Sequence, residues 1–253
     1  MRNLKTARQL SLSYRSFDLT TGRNGGHWYC QDGGTLARVE EAVFSYFQNE
    51  GWRGYAGEGG LILNLIKAAS FESISPRHRA TFVEALYASN VSFVEDKFEK
   101  SFLLKNVKNA TLAQVRSNWA VMTDRKTYIS KSTFLPRQVG GVNVGGRSGE
   151  FPSSRCVLDI FPDLEESHVL DLFESLGSEK LFAIAQRFAS NPYEYRRGWP
   201  DLTLWKDGKV KFVEVKGPGD EIRNSQRKVI VDILKPLDFD VTIADVTARQ
   251  SSV

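Results

Sequence analysis

Two short runs in the last quarter of the chain alternate between apolar and charged positions. Leu202, Leu204, Val213 and Val215 make one set; Asp201, Trp205, Val210, Phe212, Glu214 and Lys216 make the other. Asp207-Gly208 lies between the runs, and Asp-Gly between two β-rich segments is a hairpin signal because both turn residues must accept positive φ. Counting outward from a two-residue turn sets Lys206 opposite Lys209, Trp205 opposite Val210 and Asp201 opposite Glu214. Opposed residues share a face, and Lys216, two residues beyond Glu214, joins it.

Elsewhere the period is helical. Leu36, Glu40, Val43 and Phe47 fall on one face of a helix predicted over 36–49 and closed by Gly51. A second helix is predicted over 61–69, and helical material over 77–126, with a break and cap at Asn109-Ala110-Thr111. Glu165–Leu176 and Ser178–Ser190 read as two helices split by Gly177, the second ended by Asn191-Pro192. After Gly217-Pro218-Gly219 come a helix over 223–234 and a strand over 239–246, an order that implies a crossover back to one sheet. Residues 1–35, with five glycines after Thr21, read as an irregular lead-in, and 127–158 as a glycine-rich mobile loop. The fold class is α/β, a small mixed sheet flanked by helices with a helical insertion before the hairpin.

Opposed carboxylates repel and need a cation. Lys216 can serve, and so can a divalent metal, since Mg²⁺ takes hard oxygen ligands and often uses one or two carboxylates. Trp205, Val210 and Phe212 make the charged face too apolar for open water, which favours the metal over a merely solvated hairpin. Glu40, on an apolar stripe, needs either a buried ionic partner or a role in the site. Glu58 in Gly57-Glu58-Gly59 is either a cap for the next helix or a residue brought close to another group by flanking glycines. Gln226 opens a helix near Lys216 and either orients water or phosphate or faces solvent; Arg196 and Arg197 offer guanidinium forks to phosphate.

At 253 residues the chain suits one large domain or two small ones. No apolar run approaches the ~18 residues of a membrane span. The basic start leads into a stretch too polar for a signal-peptide core, so an intracellular location is expected, cytoplasmic in a bacterium or nuclear in a eukaryote. Cys30 and Cys156 lack zinc-ligand spacing, and His27, His78 and His168 are scattered, which argues against histidine-based metal chemistry. Net charge is +4, but its distribution says more: from Lys97 to Arg137, nine cations face only Glu99 and Asp124. The stretch reads as a phosphate-tracking surface carrying Lys105, Lys108 and Lys126, or as a solvated helical face.

Pro200-Asp201, the hairpin and Glu214-Val215-Lys216 resemble the signature of PD-(D/E)XK nucleases. The fuller Arg197-Gly198-Trp199-Pro200-Asp201 with Glu214-Val215-Lys216-Gly217-Pro218, and Gly57-Glu58-Gly59 upstream, resembles the VRR-NUC branch and within it the Fanconi-anaemia-associated nucleases. The likeness spans 36–250 and implies a restriction-endonuclease-like nuclease domain, with 71–163 a mostly helical insertion and 164–250 the catalytic core. It implies Mg²⁺ or Mn²⁺ held by Glu58, Asp201, Glu214 and the Val215 carbonyl, with Lys216 handling the attacking water and Glu40, Gln226 and Arg197 in support. The implied partner is flapped or branched DNA, trimmed 5′→3′ to leave a 5′-phosphate. Stand-alone family members imply instead a homodimeric four-way-junction resolvase, so monomer and homodimer both stay open. A catalytically silent DNA-binding module is the reading from another class, opposed by the intact set Glu58, Asp201, Glu214 and Lys216.

Overall fold

The computed structural model describes residues 2–22, 26–75, 79, 83–87, 99–124, 138–139, 142–143 and 156–249. Helix α1 (Arg2–Leu10) and strand β1 (Ser13–Thr20) come first, then the short strands β2 (Trp28–Tyr29) and β3 (Leu36–Ala37). Helix α2 (Val39–Asn49), strand β4 (Arg53–Ala56) and helix α3 (Gly60–Ala69) follow. Next are α4 (Val83–Tyr87), α5 (Lys100–Lys108), α6 (Leu112–Thr123), the two-residue strands β5 (Gln138–Val139) and β6 (Val142–Asn143), and α7 (Val157–Ile160). The last part holds α8 (Glu166–Phe188), α9 (Pro192–Tyr195), β7 (Leu202–Lys206), β8 (Lys209–Lys216), α10 (Asn224–Val229) and β9 (Asp240–Arg249).

Five strands form one mixed sheet in the order β1-β9-β8-β7-β4. β8 and β1 both run parallel to β9, while β7 is antiparallel to β8 and to β4. The hairpin register is the one that the Asp-Gly turn predicts, with Lys206 against Lys209 and Leu202 against Val213. Asp207 (φ 50°) and Gly208 (φ 71°) both take the positive φ that this turn demands. Because the hairpin sits inside the sheet, it must bury both faces. Leu202, Leu204, Val213 and Val215 join Phe17, Ala244, Val246 and the Val43 and Phe47 side of α2 in one core. Trp205 and Phe212 join α3, α6 and α8 in a larger core on the opposite face. The mixed α/β sheet expected from the sequence is therefore present, with helices on both sides.

Helix boundaries follow local chemistry. Thr111 caps α6, its hydroxyl accepting from Gln114 N at 3.2 Å. Gly177 (φ 69°, ψ 163°) kinks α8 where the split was predicted. After α10 the chain widens into a π turn, Ile230–Leu234, just before Pro236. Proline has no N–H to offer the Asp232 carbonyl, which instead accepts from the Arg187 guanidinium at 2.9 Å. Among the described residues no helix is long and apolar enough to cross a membrane.

Two expectations need correction. Residues 1–35 are not an irregular lead-in: α1 and β1 supply a helix and an edge strand of the main sheet. β1 buries only Phe17 and Leu19, so its alternation is faint, as befits an edge strand wetted along one side. The Asn3 amide, buried, ties this segment down by donating to Asp245 Oδ1 (2.8 Å) and to the Asp220 carbonyl (2.9 Å). The Tyr14 hydroxyl donates to Asp245 Oδ2 at 2.7 Å, and burial first, then this carboxylate, pushes it up to about 12. Second, Leu36 is not on the α2 stripe; it lies in β3 and is exposed. Residues 53–56, for which no element was predicted, form β4. Of the expected helical run 77–126, helices α4, α5 and α6 lie within the described residues, and most of the glycine-rich 127–158 lies outside them.

Candidate active site

Asp201, Glu214, Lys216 and Gln226 come together where β7 begins and β8 ends. The chain arrives by Gly198 (φ 88°), whose Cα lies so close to α10 that an added Cβ would sit 2.3 Å from Ser225 C and 2.7 Å from Gln226 N. Trp199 is buried and donates its indole N–H to the Tyr195 carbonyl at 2.7 Å. Gly198→Ala is accordingly expected to combine a left-handed strain of about 1–3 kcal/mol with a backbone clash, and to lower Tm. Thermal unfolding measures this, and an unchanged Tm would mean that the turn is free to move off α10.

Asp201 Oδ2 accepts from Val215 N at 2.8 Å, so the backbone of β8 fixes this carboxylate in place of the next ladder bond. The Asp201 carbonyl accepts from Gly57 N (3.0 Å) and Glu58 N (3.3 Å). Strand β4 pairs with β7 from Ala56 against Leu202, and this pairing carries Gly57-Glu58-Gly59 to the site. Gly54 permits it, since a Cβ there would lie 2.4 Å from a Leu204 methyl and 2.7 Å from the Thr203 carbonyl. Glu58 holds φ 45°, a left-handed conformation of its own, and its side chain is exposed at the rim.

Glu214 is fully buried. Its Oε1 accepts from Lys216 Nζ at 2.6 Å and from Gln226 Nε2 at 2.5 Å, no N–H reaches its Oε2, and the carboxyl lies within hydrogen-bonding reach of Asp201. Gln226 Oε1 accepts from Lys216 Nζ at 3.2 Å and from Arg223 N at 2.8 Å, so the glutamine both closes the start of α10 and steers the ammonium. Lys216 itself is buried. Desolvation dominates both acids. It raises Asp201 to about 6 against the Val215 amide and the Lys216 charge, with Glu40 and Glu58 adding to the rise. It raises Glu214 to about 8, helped by Asp201 and opposed by Lys216. One ammonium is too little cation for two buried carboxyls.

The sequence-predicted residues divide accordingly. Asp201, Glu214, Lys216 and Gln226 touch one another directly or through the Val215 backbone. Glu40, half-buried on α2, and Glu58 act on Asp201 through space, and among the described residues no three His, Cys, Asp or Glu side chains already close around a shared point. Arg196 and Arg197 are exposed on the way into Gly198. Lys105 and Lys108 are exposed on α5, a helix packed on α8, α3 and α4 rather than on the hairpin, and Lys126 lies outside the described residues. The basic stretch is also partly engaged: Lys100 donates to the Ala189 carbonyl at 2.6 Å, and Arg116 pairs with Glu166 at 3.1 Å. Missed altogether was the tie from Asn3 to the loop between Lys216 and Gln226 through the Asp220 carbonyl. An isolated asparagine near a chain start carries no signal for it.

Residues 152–248 match the VRR-NUC domain model. The curated relatives that the chain resembles are Fanconi-associated nucleases. The chain is 35% identical over 84% of its length to Fanconi-associated nuclease 1 of Ailuropoda melanoleuca, covering 19% of that protein. It is 24% identical over 95% of its length to the homologue from Oryza sativa subsp. japonica, covering 23% of it. It thus spans about a fifth to a quarter of these relatives. Its fold is that of the crystal structure of paFAN1 bound to 2nt 5′ flap DNA with gap, at a TM-score of 0.60 and 16% identity over 95% of this chain and 38% of that one.

Proposed function

We propose that this chain is a divalent-metal-dependent DNA nuclease that selects flapped or branched DNA, trims 5′→3′ and leaves a 5′-phosphate. The observation that carries this reading is the buried Glu214 carboxyl set against Asp201, with Lys216 the ammonium beside them. Two carboxyls in contact in a desolvated site both resist ionisation unless a further cation takes their charge. Two carboxylates are a hard-oxygen donor set suited to Mg²⁺ or Mn²⁺. Asp201 and Glu214 would hold the ion, Glu58 would swing in from the rim, and Glu40 would add charge from α2. The Val215 carbonyl would be a further oxygen, because in an extended strand it points the same way as its own N–H, which bonds to Asp201. When bound, such an ion supplies Lewis-acid polarisation of the scissile phosphate and a source of hydroxide near neutral pH.

The chain's own residues supply the rest. Lys216, held by Glu214 and Gln226, presents an ammonium to the charge that develops on the phosphoryl group. Gln226 fixes its direction. Arg196 and Arg197 take neighbouring phosphates, and Lys105, Lys108 and Lys126 track the backbone farther away. Flap selectivity is the reading drawn from the DNA named with the structural neighbour.

The test is cleavage of labelled flap, four-way-junction and linear DNA by the purified chain, with chelator, Mg²⁺ or Mn²⁺. Flap cleavage that requires the ion is expected; cleavage in chelator, or none on any substrate, would overturn the reading. Lys216→Arg keeps the charge but replaces a compact ammonium with a planar fork. Mn²⁺ affinity by calorimetry should persist while turnover falls by about 10²-fold or more. Loss of ion binding in this variant would make Lys216 a structural residue.

A further inference from the structure

The turn that delivers the chain to Asp201 carries an aromatic side chain, Tyr193, to which the proposed function gives no part. Helix α9 is held from three sides. The Tyr195 hydroxyl donates to Asp232 Oδ2 at 3.1 Å, Lys228 pairs with Glu194 at 2.9 Å, and the Trp199 indole holds the Tyr195 carbonyl at 2.7 Å. On this fixed turn the Tyr193 side chain stands out, at 53% the most exposed of the large hydrophobics among the described residues. The Arg196 guanidinium lies over its ring, 5.4 Å from the centroid. Arg196 and Arg197 are exposed, and neither has a carboxylate partner among the described residues, although Lys228 close by has one.

We infer that Tyr193 and Arg196 form a stacking platform for an unpaired nucleobase beside the cleavage site, with Arg196 and Arg197 taking the flanking phosphates. The inference rests on the nuclease reading and deepens it by naming what recognises the unpaired strand. A cation over one face of the ring leaves the other face open. Bases in a duplex are already stacked on both sides, so only an unpaired base has a face to give. Aromatic stacking accepts any base, and unpaired guanidinium charge supplies the sequence-independent attraction to phosphate. The turn is held before DNA arrives, so little ordering entropy opposes binding. Its nearness to the chemistry follows from the chain: Arg196 is two residues from Gly198, which touches the backbone of Gln226.

The experiment is fluorescence anisotropy of the full chain, without divalent metal, on a flapped oligonucleotide bearing aminopurine at its first unpaired position and on a blunt duplex. Tyr193→Ala is expected to weaken flap binding about tenfold, leave duplex binding within about twofold and relieve aminopurine quenching. Tyr193→Trp should restore both signals. Unchanged flap affinity would overturn the inference, as would an equal loss on flap and duplex, which marks a phosphate or structural contact. If the parent chain bound neither DNA, the nuclease reading would fall with it. If the parent cleaved flaps while Tyr193→Ala bound them as the parent does, this inference alone would fall.

Discussion

Asp201→Ala and Glu214→Ala are expected to reduce DNA cleavage by about 10³-fold or more while leaving DNA affinity within about twofold. The two carboxylates sit at the end of a hairpin buried on both faces, apart from the exposed cations of α5 and of the turn before Gly198. Removing either should therefore lose the ion without losing the surface that meets phosphate. Glu214→Gln separates chemistry from folding. An amide keeps the shape and can still accept from Lys216 and Gln226, yet it cannot take on the charge that burial disfavours once pH passes about 8. Above that pH the metal-free variant should have a higher Tm than the metal-free parent, and at any pH no detectable cleavage. Single-turnover assays in saturating Mg²⁺, binding by anisotropy and thermal unfolding give the three readouts. Appreciable cleavage by Asp201→Ala or Glu214→Ala in excess Mg²⁺ would falsify the metal assignment.

The metal-free protein should lose stability as pH rises, opposite to the usual behaviour of salt-bridged carboxylates. Burial lifts Asp201 to about 6 and Glu214 to about 8, so the folded chain holds protons that the unfolded chain has released. A group with a raised folded pKa contributes stability that is complete below its unfolded pKa and is lost as pH passes through the folded one. The window therefore runs from the ordinary carboxylate range up to about 8. The slope is about −1.4 kcal/mol per pH unit for each extra proton held. Because ligands must be deprotonated to bind, Mg²⁺ or Mn²⁺ should raise Tm more at the top of this window than at its bottom, with proton release. Thermal scans across the window, with chelator and with Mn²⁺, measure both effects. Metal-free stability that rises through the window would show Lys216 alone to be a sufficient counter-charge.

The hairpin was legible because its register depends on local residues. Asp207-Gly208 fixes the turn, the period of two does the rest, and the pairing runs as counted from Lys206–Lys209 to Leu202–Val213, which delivers Asp201 and Glu214 at its end with no tertiary information. The kink at Gly177 and the cap at Thr111 were legible for the same reason: one residue's backbone or side chain decides each. Gln226 was placed near Lys216 by sequence order, and the structure adds that it bonds to both Lys216 and Glu214. Residues 1–35 were not legible. β1 pairs in parallel with β9, Ser13 against Thr242, and parallel pairing between chain ends leaves no turn and little alternation to read.

The sequence by itself determined the chemistry that is available: two carboxylates, one amine and one amide at fixed spacings, on a face too apolar to be open surface. Tertiary structure decided how strained that chemistry is. Placing the hairpin between β4 and β9 buries Glu214 completely, and low dielectric together with Asp201 turns an ordinary acid into one that holds its proton to about 8. Placement of β4 against β7 brought Glu58 to the rim, and the Asn3 tie gave the loop after Lys216 its support. Neither is encoded in a local pattern, because each joins residues that become neighbours only when the sheet closes.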